Sequence, residues 1–164
     1  MRSIELNMFI NCPKRDVYDQ LSEPINMIGL QPRLTTIDIL KEQRNTDGIL
    51  LRPFYMVETY WLLGLPMLRT RVYTVIGLTK AGEELEIRVY RKPGILLLHQ
   101  FEFRQVTDEA ERTHLVQKIS YERGTKVLEN LVFQQVIAAQ RALLSNLKVR
   151  LEKPRAFLKL SKES

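Results

Sequence analysis

Apolar Ile4, Leu6, Met8 and Ile10 alternate with polar Ser3, Glu5 and Asn7 near the start of the chain. This period of two is typical of a strand with one buried face. Pro13 suits the first position of a helix because its φ is already fixed near the helical value, and Pro24 ends that helix. A second short helix or turn is predicted over 25–30. The chain therefore opens with one strand and two short helices.

Strand patterns and turn sequences then alternate as far as Gly124. The turn sequences are rich in glycine, proline, asparagine and aspartate. We predict strands over 34–43, 48–62, 67–78, 83–91, 95–106 and 112–123. Short connections make consecutive strands antiparallel neighbours, so the predicted sheet has seven strands when the first is included.

Alternation and turn position together predict which side chains share a face of this sheet. Across the turn at 92–94, Ile87 comes opposite His99. The same parity selects an inward set: Val57, Thr59, Trp61, Thr70, Val72, Thr74, Ile87, Val89, Leu97, His99, Phe101 and Gln117. On the other face, Glu58 and Arg71 are predicted to form a cross-strand ion pair.

The outward positions of two neighbouring strands are also apolar. They are Phe54, Met56, Tyr60, Tyr73 and Val75. Exposed together, these side chains form a patch suited to a homodimer or to another protein partner. A one-residue slip, or a bulge near Pro53, predicts the opposite, with these side chains turned inward. Both interpretations stay open at this point.

Residues 127–153 contain neither glycine nor proline and are predicted to form one long helix. Its polar positions fall in a narrow stripe: Asn130, Gln134, Arg141, Lys148 and Glu152. The rest of its circumference is largely apolar, which is too wide an arc for a flat surface to bury. We therefore predict an α+β fold in which a curved, seven-stranded antiparallel sheet surrounds the helix and leaves that stripe in water. Residues 1–153 form this single domain, and 154–164 form a basic tail.

The composition excludes several classes of protein. The 164 residues are 45% hydrophobic and 27% charged, as in an ordinary soluble domain. One cysteine and two histidines provide no zinc-type ligand set, and no cofactor motif is present, so neither a metal nor a cofactor is predicted. The N-terminus lacks the continuous apolar stretch of a signal peptide, and no segment reads as a membrane span. With the single cysteine, this favours the cytoplasm.

The net charge of +6 is concentrated near the C-terminus. Between Asn146 and Ser164 lie six basic and two acidic residues, which account for +4. Basic residues at the C-terminal end of a helix are stabilised by the helix macrodipole, which explains this charge without a binding partner. No predicted strand interleaves basic with aromatic residues, so we predict no nucleic-acid binding. The tail also contains Phe157 and Leu158, which would allow weak contact with an anionic membrane surface; packing on its own domain is the other interpretation.

Five segments, taken in order, resemble those of one superfamily. They are NCPKRDVYDQLSEP, YWLLGLPMLRTRVYTVIGL, LLLHQFEFRQV, THLVQKISYERG and LVFQQVIAAQRALLSNLK, the last with the arginine of the final helix, here Arg141. Over 4–152 the chain resembles the START-like, or SRPBCC, helix-grip superfamily of polyketide cyclase/dehydrase, lipid-transport and birch-pollen-allergen-like ligand-binding proteins. Two places depart from the pattern: Gln117 stands where an aspartate is frequent, and 111–113 lacks the usual Gly-Thr pair.

The resemblance implies an elongated apolar cavity between sheet and helix. The implied function is binding, or transport, of a hydrophobic small molecule such as a lipid, a quinone or a polyketide-like aromatic. Small helix residues leave room for it, and a few polar groups in an apolar wall orient a ligand. The predicted ligand-binding residues are the inward set together with Leu131, Gln135, Ala138 and Ala142 from the helix.

Two other functions stay open. In a cyclase/dehydratase-type enzyme the same cavity holds a reactive chain, and His99 moves a proton. Burial is expected to lower the pKa of His99 and keep it neutral, and no inward carboxylate is predicted to orient it, which favours binding without catalysis. In an interaction module, the outer apolar patch holds the partner.

Overall fold

A computed structural model describes the backbone of residues 2–62, 65–92, 94–107, 109–124 and 126–160, and the side chains of these except 60–62, 65–68, 127–128 and 154–160. The elements in chain order are β1 (Arg2–Ile10), α1 (Lys14–Ser22), a 3-10 turn (Pro24–Met27), β2 (Leu34–Ile39), β3 (Gln43–Arg44), β4 (Leu50–Leu62), β5 (Leu65–Lys80), β6 (Glu84–Arg91), β7 (Ile95–Val106), β8 (Glu109–Arg123) and α2 (Lys126–Leu160).

All strand pairs are antiparallel, and seven strands run side by side in the order β1-β8-β7-β6-β5-β4-β2. The two-residue β3 also pairs with β4, so the strand predicted over 34–43 is divided into β2 and β3. From β4 to β8, strands that are neighbours in the sheet are also consecutive in the chain, because the connections between them are short. The exception at this edge is β1, which pairs with β8. The predicted α+β fold, with two short helical segments after β1, is confirmed.

The inner face, which we define as the face toward α2, carries the positions that alternation predicts on β5 to β8. Ile87 pairs with His99, as predicted, and His99 pairs with Ile119 on β8. Leu97, Phe101 and Leu115 on the same face are almost fully buried. Strict alternation fixes the register here because one face must be covered.

The register predicted for β4 is wrong. At the tip of the β4–β5 hairpin Leu62 pairs with Leu65, but the register shifts between Tyr60 and Trp61, so that Met56 pairs with Val72. A shift of one residue turns every following side chain to the other face.

The correction changes which residues face α2. Met56 and Glu58 lie on the inner face, whereas Val57 pairs with Arg71 on the outer face. Thr59 is also on the outer face and is buried there; its hydroxyl lies 3.1 Å from the Thr35 hydroxyl, and its amide donates to the Arg33 carbonyl at 2.8 Å. The side chain of Trp61 is outside the described residues.

The same shift rearranges the outer apolar patch. Phe54 and Met56 point inward and are buried, as the bulge interpretation requires, although the bulge is at Tyr60 instead of Pro53. Tyr73 remains on the outer face between Tyr55 and Tyr90, with ring centroids 5.3 and 5.5 Å away. Val75 is outward but buried, and the side chain of Tyr60 is not among those described. The predicted five-residue patch therefore does not form as one surface.

The C-terminal half of α2 packs tightly. Leu143, Leu144 and Leu147 are at most 2% exposed, and α2 is tied to the loops around it by polar contacts. These contacts are Asn146 Nδ2 to the Leu30 carbonyl at 2.9 Å, Lys148 Nζ to the Phe9 carbonyl at 2.6 Å, and the Asn11 amide to Glu152 Oε1 at 2.8 Å. This half of the helix is thus held against the end of β1.

The sheet does not surround α2 as completely as predicted. Leu131 is 59% exposed and Val149 is 48% exposed, so water reaches more than the polar stripe. The sequence predicted a helix over 127–153 followed by a tail. In the structure, α2 continues beyond Lys153 to Leu160. Among the described residues, no helix combines the length and the apolar content that crossing a membrane requires.

Candidate functional site

A cavity of about 610 Å³ lies between the inner face of the sheet and the N-terminal half of α2. Its apolar wall includes Met56, Val72, Val89, Leu97, Val132 and Val136. Small side chains on α2 make this space, because Ala138, Ala139 and Ala142 line the cavity where longer residues would fill it. The volume is within the range of sites that enclose drug-sized molecules.

His99 lines this cavity and belongs to a buried polar chain. Gln117 Nε2 lies 3.2 Å from His99 Nδ1 and 2.8 Å from Gln140 Oε1. With the Gln117 amide in this orientation its nitrogen donates, so His99 Nδ1 accepts and the imidazole proton is on Nε2, while the buried Gln117 Oε1 has no partner among the described residues. Among the described residues no side chain accepts from Nε2, so this N–H is available to a molecule in the cavity.

The electrostatics keep His99 neutral. Burial, and secondarily the positive charge of Arg91, lower the pKa of His99 from 6.5 to about 4. The predicted direction of this shift is confirmed. At neutral pH the imidazole is therefore a fixed hydrogen-bond donor and carries no charge.

A buried ion pair lies in the same cavity. Arg91 donates to both carboxylate oxygens of Glu58, with N–O distances of 2.6 and 2.9 Å. Glu58 is 4% exposed, whereas the Arg91 side chain is 26% exposed. The predicted ion pair between Glu58 and Arg71 is therefore wrong, since Arg71 instead contacts Asp38 at 3.0 Å. Among the described residues, no cluster of three metal-ligating side chains is present.

Several solved structures are similar to this chain over most of its length. The Zhui aromatase/cyclase from Streptomyces sp. R1128 aligns with a TM-score of 0.63 and 17% identity over 91% of this chain and 94% of that chain. The chain has the helix-grip fold. A START superfamily protein from Mycobacterium smegmatis (TM-score 0.60, 12% identity, 92% of this chain and 97% of that chain) and Ara h 8.0201 (0.65, 9%, 93% and 98%) share it.

The helix-grip fold predicted from the quoted segments is confirmed. At these identities the likeness concerns the fold. No protein-family model matches the sequence, and no curated protein matches it.

The helix-grip arrangement brings half of the predicted ligand-binding residues to the cavity wall. They are Thr70, Val72, Val89, Leu97, His99, Gln135, Ala138 and Ala142. Four others, Thr74, Ile87, Phe101 and Gln117, are buried on the inner face without lining the cavity, although Gln117 holds His99. Leu131 points away from it and is exposed, and Val57 and Thr59 lie on the outer face.

Several wall residues were missed by the sequence analysis. Met56 and Glu58 were missed because both faces of β4 carry several large apolar residues, so alternation alone cannot choose between them. Arg91 continues the inner parity of Val89 and was identifiable from that spacing. Gln140, one residue after Ala139, is buried at the cavity wall, where helical spacing from Val136 places it.

Proposed function

We propose that this protein binds a hydrophobic small molecule between the inner face of the sheet and α2. The observation that carries the proposal is the apolar cavity of about 610 Å³ into which His99 presents a neutral N–H donor. A lipid, a quinone or a polyketide-like aromatic combines an apolar body with an oxygen that can accept this hydrogen bond. Transport of such a molecule is consistent with the same site.

The cavity supplies affinity and His99 supplies orientation. Burial of about 300 Å² of apolar ligand surface contributes about 7 kcal/mol before the costs of association are subtracted. A neutral hydrogen bond to His99 adds only about 1 kcal/mol net. However, a ligand that leaves the Nε2–H without an acceptor forfeits more, about 1–3 kcal/mol, because a buried donor stays unpaired. The site therefore selects apolar molecules that carry an acceptor at one position.

A cyclase/dehydratase-type enzyme is the second candidate, and two observations favour it. The fold is shared with an aromatase/cyclase, and the cavity contains a histidine. Glu58 is an inward carboxylate, but it binds Arg91 through both oxygens and does not orient His99. With a pKa of about 4, neutral His99 is a weak base, so hydrogen-bond donation fits it better than proton abstraction.

Displacement of a neutral fluorescent probe tests the proposal. N-phenyl-1-naphthylamine should bind the wild-type protein with enhanced emission, and a long-chain alcohol such as dodecanol should displace it. Ala142→Phe places a ring in the cavity, so probe affinity should fall about tenfold or more. Gln134→Phe, on the exposed side of α2, is the matched control and should leave affinity unchanged.

Two results separate the candidate functions. Probe binding that is equal in the wild-type protein and in Ala142→Phe would overturn the proposal, because the probe would then bind elsewhere. A His99→Gln variant that binds the probe normally but loses turnover of a polyketide-like substrate would instead support the enzyme.

A further inference from the structure

The buried polar chain contains a second hydrogen-bond donor besides His99. Gln140 lines the cavity and is only 7% exposed, and its Oε1 accepts from Gln117 Nε2 at 2.8 Å. The Gln140 nitrogen carries two hydrogens, and no side chain or carbonyl within the described part of the chain accepts either of them. A buried N–H without an acceptor is unfavourable, which points to an acceptor on the molecule that enters the cavity.

One side chain sets the direction of both donors. Gln117 is fully buried, and its Nε2 donates to His99 Nδ1 at 3.2 Å and to Gln140 Oε1 at 2.8 Å. The His99 proton is therefore on Nε2, and the Gln140 amide directs its nitrogen away from Gln117. The two accepting atoms are at most about 6 Å apart, since each is within 3.2 Å of the same nitrogen. His99 and Gln140 thus present N–H groups to the same part of the cavity.

These two donors are at the inner end of the cavity. Along β7, His99 is the last residue that lines the cavity before Phe101, which is buried without lining it. Ile95 lines the other end and pairs with Arg91; it is four residues from His99, or about 13 Å along the strand. Lys92 follows Arg91, lines the cavity and is exposed to solvent. A ligand that enters beside Lys92 therefore reaches the two donors with its leading end.

From this arrangement we infer that the ligand carries a carbonyl group, or two neighbouring ones, at the end that enters first, and that this end accepts hydrogen bonds from His99 Nε2 and Gln140 Nε2. The inference rests on the proposed function and names the class of molecule that the site selects: ketones, quinones and other neutral compounds whose polar end bears acceptors only. Both donors are uncharged, so they compensate the desolvation of a carbonyl group but not that of a carboxylate.

An alcohol fits this end of the cavity less well because of its hydrogen. Its oxygen can accept from either donor, but its O–H also needs an acceptor. His99 Nδ1 and Gln140 Oε1 already accept from Gln117, so neither offers the O–H a free position on the cavity side. An unpaired buried O–H weakens binding, and Gln140 therefore determines specificity for the ketone over the alcohol.

A ketone and an alcohol with the same carbon skeleton test the inference. 2-Dodecanone and 2-dodecanol are each titrated against the protein carrying N-phenyl-1-naphthylamine, and the ratio of their affinities is compared between the wild-type protein and Gln140→Leu. Comparing ratios removes the general preference of an apolar cavity for the ketone, which loses fewer hydrogen bonds on leaving water. We expect the preference for the ketone to fall about fivefold or more in Gln140→Leu, because the carbonyl oxygen loses a donor.

Two further variants serve as controls. Gln134→Leu makes the same change at an exposed position of α2 and should leave the ratio as it is in the wild-type protein. Gln140→Met also removes the N–H donor, with an unbranched side chain of similar length, and should reproduce the fall. It replaces Gln140→Leu if the leucine variant does not fold.

The infrared absorption of the bound carbonyl group gives a direct readout of the hydrogen bonds. Donation to the oxygen weakens the C=O bond and lowers its stretching frequency. With 2-dodecanone that carries ¹³C at the carbonyl carbon, the band should lie at lower frequency in the wild-type protein than in hexane. It should move towards the hexane value in Gln140→Leu and stay in place in Gln134→Leu.

The outcomes separate this inference from the proposed function. If the wild-type protein and Gln140→Leu give the same ratio, or if the carbonyl band of the ketone bound to the wild-type protein stays at the hexane value, the inference is overturned and the apolar site stands. A preference for 2-dodecanol that depends on Gln140 also overturns it, since the amide groups would then have the opposite orientation. If neither compound displaces the probe, the proposed function fails and the inference falls with it.

Discussion

Removing the His99 imidazole should change how the stability of the protein depends on pH. In the folded protein the pKa of His99 is about 4, because of burial and then the Arg91 charge, whereas an unfolded histidine has a pKa of about 6.5. Below about pH 6.5 the unfolded chain takes up a proton that the folded chain refuses. The stability that comes from burying neutral His99 is thus complete above that pH and is lost as pH falls towards about 4.

The size of this loss follows from the two pKa values. Each pH unit between them costs about 1.4 kcal/mol, so lowering the pH from about 7.5 to about 5 should remove about 2 kcal/mol of the free energy of unfolding. Other groups also titrate in this range, so the quantity to compare is the difference between the wild-type protein and His99→Gln. We expect His99→Gln to be less stable than the wild-type protein at neutral pH. Its free energy of unfolding, however, no longer falls with pH through the protonation of His99.

Urea unfolding followed by circular dichroism at both pH values measures the difference. We expect the wild-type protein to lose about 2 kcal/mol more than His99→Gln does over this interval. His114→Gln removes the other histidine and retains His99. Between the two pH values it should therefore lose more of its free energy of unfolding than His99→Gln does, as the wild-type protein does. Equal losses in the wild-type protein and in His99→Gln would refute the argument that His99 is buried in its neutral form.

Three further substitutions test separate parts of the account, all by urea unfolding at neutral pH. Gln117→Leu leaves His99 Nδ1 and Gln140 Oε1 without their donor and should cost about 1–3 kcal/mol, whereas Lys118→Gln beside it should stay within about 0.5 kcal/mol of the wild-type protein. Leu147→Ala should cost about 2–5 kcal/mol because Leu147 is fully buried, but Leu131→Ala, at an exposed position of the same helix, should cost less than about 1 kcal/mol. Gly124→Ala should cost more than about 1 kcal/mol, since φ there is +150° and a Cβ would meet the Tyr121 hydroxyl; an equally stable variant would contradict this conformation.

The strands that could be placed from sequence are those in which one face is polar. On β6 and β7, glutamate, arginine and glutamine alternate with apolar residues, so the positions facing α2 are evident and the pairing of Ile87 with His99 follows from the turn. On β4 both sets of positions contain several large apolar residues, and the register shift at Tyr60 is not evident from the pattern. The inward carboxylate of Glu58 was missed for that reason.

The cavity depends on distances that a sequence does not encode locally. Alanines on α2 indicate room, but the distance between α2 and the sheet also depends on how the other half of the helix packs, where Leu143 and Leu147 are buried. Helical periodicity also overestimated how far the sheet reaches around α2, since Leu131 is apolar and yet exposed.

The central claim is that an apolar molecule occupies the space between α2 and the sheet. Intermolecular NOEs from a bound dodecyl chain to methyl groups of the protein test this most directly, with Val72, Val89, Leu97 and Val136 inside the cavity and Ile39 and Val149 exposed outside it. We expect NOEs from the alkyl chain to the four cavity residues and none to the two exposed ones. NOEs confined to Ile39, Val149 or other surface methyls would contradict it.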